Sequence, residues 1–163
     1  MANGFPIAAL CGKRELMDRF VTAGGNVFFA GTYNGHPSGV AAALATIDEL
    51  ERANVHERLF QIGEFMAQEL RALISRYGVR AHVAQFGSVV VPYFMEPPVE
   101  SYNDLLRNNT KLDVHFRREM VNRGIFMLPV ALKRNHVTAS HTAEDIARTL
   151  NAAEDVFRTM PRS

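Results

Sequence analysis

At 163 residues, 47% hydrophobic and 21% charged, the chain has the balance of an ordinary globular protein, not of a disordered polymer. A net charge of +1, with basic and acidic residues interleaved, leaves no electrostatic case for nucleic acid or for an anionic membrane surface. One cysteine, Cys11, rules out an intrachain disulfide; no run reaches membrane-helix length, no basic and apolar leader opens the chain, and a cytoplasmic location is expected.

Phe5–Leu10 is a short apolar run that reads as a buried strand. Lys13–Phe20 reads as a short helix with Leu16, Met17 and Phe20 inward, broken by Gly24-Gly25. A second apolar run, Val27-Phe28-Phe29, leads into the turn Gly31-Thr32-Tyr33-Asn34-Gly35-His36-Pro37. From Pro37 to about Ala53 an alanine-rich helix is expected, with Val40, Leu44, Ile47 and Leu50 at helical spacing. Val55–Tyr77 is the longest amphipathic pattern, its stripe being Leu59, Ile62, Met66, Leu70, Leu73 and Tyr77, with Gly78 as the stop.

Two strands follow, around 80–86 and 88–95, joined at Gly87; Pro92 requires an edge or a bulge in the second. Thr110-Lys111-Leu112-Asp113 resembles a capping box and opens a helix with Leu112, Phe116 and Met120 inward, ending at Gly124. Ile125–Leu128 reads as a strand and His136–Ser140 as a short extended piece. Thr142-Ala143-Glu144-Asp145 is a second capping box, and Ile146, Leu150, Ala153 and Phe157 form the apolar face of the last helix. Helix, strand, strand, helix, strand, short strand and helix do not alternate regularly, which predicts an α+β layer for residues 55–163. Residues 1–54 contain one strand-like run with no nearby partner; an unpaired strand leaves its backbone groups unsatisfied, so either it joins the later sheet or its partners are missing from this chain.

The Gly31–Pro37 turn carries the strongest chemical pattern. Pro37 suits a first helical position, Gly31 and Gly35 permit tight turns, and Thr32 places a hydroxyl beside the unpaired N–H groups of a helix start. Such a group of donors favours an anion. The six histidines, His36, His56, His82, His115, His136 and His141, form no metal-ligand spacing, and Gly87-Ser88 lacks the flanking glycine of a nucleophile elbow. Neither a metal nor a nucleophilic site is expected.

Four stretches, taken in order, resemble a known family: Asn3–Leu10, Gly31–Thr46, Arg123–Phe126 and Ser140–Ile146. Together they resemble the C-terminal part of the class III pyridoxal-phosphate-dependent aminotransferases, nearest to the glutamate-1-semialdehyde aminomutase group. The resemblance implies an α/β protein of fold-type I: residues 1–54 as the end of the large cofactor domain with a connecting helix, and residues 55–163 as a small domain of antiparallel strands packed with helices. It implies pyridoxal 5'-phosphate as cofactor, a homodimer, a small amino-acid, keto-acid or semialdehyde substrate, and transfer of an amino group through a pyridoxamine intermediate. In this family the threonine matching Thr32, with Gly31 beside it, binds the cofactor phosphate across the dimer interface. The Schiff-base lysine of the family would precede Gly4-Phe5-Pro6, and Lys13, Lys111 and Lys133 match no such position. The resemblance therefore implies no catalytic residue in this chain and an inactive isolated fragment. A free-standing interaction module derived from such an enzyme is the alternative.

Overall fold

The computed structural model describes residues 1–52 and 54–160. Ala53, where the alanine-rich helix was expected to end, lies outside them, as do residues 161–163 of the expected small domain. The chain divides into two compact units, one over Met1–Val55 and one from His56 on.

The first unit contains helix α1 (Arg14–Met17), a 3-10 turn (Val21–Ala23) and helix α2 (Pro37–Arg52). The expected strand over Phe5–Leu10 does not form, and Val27–Phe29 contributes one isolated parallel bridge, Phe20 to Val27. A strand needs a continuous hydrogen-bonding neighbour, and the described residues of the unit supply none for these runs. α1 is shorter than the expected 13–20, and Leu16 faces solvent instead of a core. Gly39 is the close-packing point: a Cβ there would lie 3.4 Å from the Pro6 carbonyl oxygen and 3.7 Å from Ile7 Cβ, so α2 sits directly on the 6–7 segment.

The second unit follows the sequence pattern more closely. Helix α3 (Val55–Tyr77) leads to β1 (His82–Phe86), β2 (Val89–Tyr93), a 3-10 segment (Tyr102–Arg107), α4 (Thr110–Asn122), β3 (Asn135–His136) and α5 (Ala143–Thr159). The sheet is antiparallel with order β1-β2-β3. Pro92 lies opposite Val83, while β3 pairs only with Val89 and Val90. A missing N–H is tolerated there because β3 has ended, so β2 can be the middle strand and still contain a proline. Ile125–Leu128 forms no strand, and β3 starts one residue earlier than expected and is shorter.

α3 and α4 both end in a Schellman motif. The Val79 N–H donates to the Ile74 carbonyl after Gly78 (φ +62), and the Ile125 N–H to the Met120 carbonyl after Gly124 (φ +79). The helices cover one sheet face with a core that includes Met66, Leu70, Phe94, Phe116, Met120 and Val156. The Phe116 ring stacks on Phe157 at 5.2 Å between centroids.

Candidate functional site

Pro37 is the first residue of α2, and the first helical hydrogen bond runs from the Val40 N–H to the His36 carbonyl at 3.0 Å. The N–H groups of the preceding helical positions therefore have no intrahelical acceptor. Upstream, the Asn34 N–H donates to the Gly31 carbonyl at 3.0 Å and the His36 N–H to the Tyr33 carbonyl at 3.1 Å, which folds residues 31–36 into consecutive turns. Gly35 takes φ +67, which the turn requires of a glycine, and a Cβ at Gly31 would fall 2.8 Å from Asn34 Oδ1 and displace that side chain.

Thr32 is exposed at this turn, and its hydroxyl has no hydrogen-bond partner among the described residues. Ser38 Oγ lies 2.9 Å from His36 Nδ1, so that hydroxyl is already engaged. An apolar recess of about 830 Å³, lined by Ile7, Leu10, Phe20 and Phe29, borders the turn at Tyr33, Asn34 and Gly35. The arrangement offers free donors and one free hydroxyl beside an apolar wall. It suits a group with an anionic end and a flat or greasy body.

The three lysines lie elsewhere in the sequence order and are all exposed: Lys13 precedes α1, Lys111 is in the first turn of α4, and Lys133 is on the loop before β3. Among the described residues no three His, Cys, Asp or Glu side chains converge as metal ligands.

The second unit holds a polar cluster that the sequence reading missed. Asp113, 0% exposed, accepts from Arg117 Nε at 2.6 Å, from Asn108 Nδ2 at 3.1 Å and from the Leu132 N–H at 2.8 Å. Arg117, 1% exposed, donates also to Asn135 Oδ1 and to the Lys133 carbonyl. Asn108 Oδ1 accepts the Phe94 N–H at 2.8 Å. Instead of the capping box expected over Thr110–Asp113, the cap of α4 is Asn109, whose side chain accepts from the Leu112 N–H. The spacing of Asp113 and Arg117 (i, i+4) was the available signal, though it also fits a solvated surface pair. The second expected box is present: the Thr142 N–H and hydroxyl both donate to Asp145 Oδ2 at 2.8 Å, and the Asp145 N–H returns a bond to Thr142 Oγ1.

Comparison with known proteins places these features in context. The Aminotransferase class-III family model matches residues 1–156. Glutamate-1-semialdehyde 2,1-aminomutase of Hyperthermus butylicus is 31% identical over 98% of the chain, and that of Pyrobaculum calidifontis is 34% identical over 99%. The chain spans 37% and 36% of those two proteins' lengths. An omega-transaminase from Sphaerobacter thermophilus superposes with a TM-score of 0.80 at 22% identity, covering 96% of this chain and 36% of that one.

Proposed function

The chain belongs to the class-III aminotransferase family, and on that premise we propose that it serves as the C-terminal part of a pyridoxal-phosphate-dependent aminotransferase or aminomutase of the glutamate-1-semialdehyde type. Residues 1–54 are the end of the cofactor domain with its connecting helix, and residues 55–163 are the small domain. The working enzyme is a cytoplasmic homodimer acting on a small amino-acid, keto-acid or semialdehyde substrate. Pyridoxal phosphate supplies the electron sink for moving the amino group.

The observation that carries the cofactor reading is the unpartnered Thr32 hydroxyl on the turn that leads into α2. In this reading Thr32 and the N–H of the Gly31–Thr32 turn hold phosphate oxygens by charge-assisted bonds, while Gly31 keeps the backbone close. The role of these residues is to bind and orient. The chain offers no buried lysine for the covalent and proton-transfer work, since Lys13, Lys111 and Lys133 are all exposed.

The test is Thr32→Ala in the dimer formed with the remainder of the enzyme. A hydrogen bond to a charged group contributes about 1.5–3 kcal/mol, so cofactor affinity should fall roughly ten- to hundredfold with the fold intact. An unchanged cofactor dissociation constant removes Thr32 from the site.

The exposure of all three lysines also supports a second reading, a non-catalytic interaction module of the same ancestry. Borohydride reduction of the chain with pyridoxal phosphate separates the two from a complete enzyme. Scattered, substoichiometric labelling without amino transfer fits either reading, whereas one stoichiometric adduct with turnover contradicts both.

A further inference from the structure

A groove of about 660 Å³ runs between α3 and α5, wholly within the second unit. Its apolar floor is formed by Ile62, Leu73, Ile146 and Leu150. One end is closed where Arg76 Nη1 and the Tyr77 hydroxyl both donate to Glu154 Oε1, at 3.1 and 2.7 Å. Ala72 on α3 and Ala147 on α5 are exposed along its edges, and side chains this short let another helix come close. Phe65 stands on the rim, 51% exposed, an aromatic ring of the kind that anchors protein interfaces.

The charges beside Phe65 are self-complementary. Arg58 and Glu69 both line the groove, and neither has an ion-pair partner among the described residues. They stand about three helical turns apart, so they share one face of α3 at a separation of about 16 Å, with Phe65 between them. When a second α3 is laid antiparallel so that Arg58 meets its Glu69, two-fold symmetry brings Glu69 against its Arg58 as well. In the same register Phe65 falls opposite Ile62 of the second copy, over the floor of that copy's groove. A parallel pairing in register sets arginine against arginine and glutamate against glutamate, so the charges also select the direction.

We propose that the α3–α5 groove is a self-association surface whose occupant is α3 of a second copy of this chain. The two helices lie antiparallel, each Phe65 seated over the other copy's groove, with an Arg58–Glu69 pair on either side. The inference rests on the second unit alone. It uses a different surface from the Thr32 turn, so it stands or falls apart from the cofactor reading.

The experiment is sedimentation velocity of the whole chain carrying Leu10→Ser and Phe28→Ser, which remove two of the most exposed apolar side chains of the first unit. This background chain should dimerise with a dissociation constant of about 0.1 mM or tighter. Arg58→Glu alone sets two pairs of carboxylates against each other, and Glu69→Arg alone two pairs of guanidinium groups. Each should weaken the dimer by at least about tenfold. An equimolar mixture of the two variants restores opposite charges at both positions and should recover the dimer as a heterodimer, which a folding defect would not allow. Phe65→Ser should weaken the dimer by a similar factor, with no rescue on mixing. A background chain that stays monomeric at about 0.5 mM, charge variants that pair as the background chain does, or a mixture that remains monomeric would each overturn the proposal.

Discussion

Asp113 Oδ1 lies 2.6 Å from Arg117 Nε, with both side chains essentially without solvent contact. The pair is one turn apart on α4, yet its remaining bonds reach the chain at 108, 132, 133 and 135. Removing one member leaves the other charge buried without its partner. Asp113→Ala should therefore cost about 3–5 kcal/mol, measured by urea unfolding. A double substitution to apolar residues of similar volume should cost markedly less. If the single and double variants were equally unstable, desolvation of an orphaned charge would not be the cause.

Gly63 on α3 faces the β1–β2 turn so closely that a Cβ would lie 1.9 Å from the Gly87 carbonyl oxygen. That neighbour is backbone and cannot swing away. Gly63→Ala should destabilise the second unit by about 1–3 kcal/mol even though alanine favours helix. A stabilised variant would mean that the turn yields freely.

The cap of α5 should show in a pH profile. Asp145 is held below its ordinary carboxylate range first by the backbone N–H of Thr142 and then by the Thr142 hydroxyl. A depressed folded-state value means that its stabilising contribution is present above the unfolded value, near 3.8, and is lost as pH falls through the lower folded one. Thr142→Ala should remove about 1 kcal/mol at neutral pH. It should also flatten the acid limb of the stability curve in part, since alanine keeps the Thr142 N–H; an unaltered limb would leave the hydroxyl no share in it.

In the first unit, Phe28 is 82% exposed and Leu10 61%, with Phe5 and Phe29 also open to solvent. Apolar groups presented together in this way favour association. Light scattering of the isolated chain should show concentration-dependent oligomers, and Phe28→Ser with Leu10→Ser should reduce them. A monodisperse monomer at high concentration would contradict this.

The elements legible in the sequence are those fixed by local signals. Thr142 and Asp145 form their box because both partners lie within one turn, and Gly78 and Gly124 stop their helices by their own left-handed conformations. The stripe of α3 is read directly from its period, with Met66 and Leu70 buried as expected and Leu59 only partly so. Phe5–Leu10 was misread because an apolar run records the need for burial but not the partner. Asp113 was misread because its third bond goes to Leu132, nineteen positions on, which no spacing rule reveals. In the candidate site, the turn and the helix start after it could be read from Gly31, Gly35 and Pro37. The assignment to a cofactor phosphate depends on the family resemblance and is not implied by those residues alone.

The sheet also carries an order of events in time. Phe86 and Val89 meet across a two-residue turn, whereas Val89 reaches His136 only after the whole of α4 has been traversed. Closing the longer loop costs more chain entropy, and β3 offers just two paired positions in return. The hairpin and α3 should therefore be formed in the folding transition state, with β3 arriving late. Truncations at Val83 should slow refolding, while truncations at Val137 should chiefly hasten unfolding. The loop bearing Arg134 would then be among the last segments to settle and among the first to open.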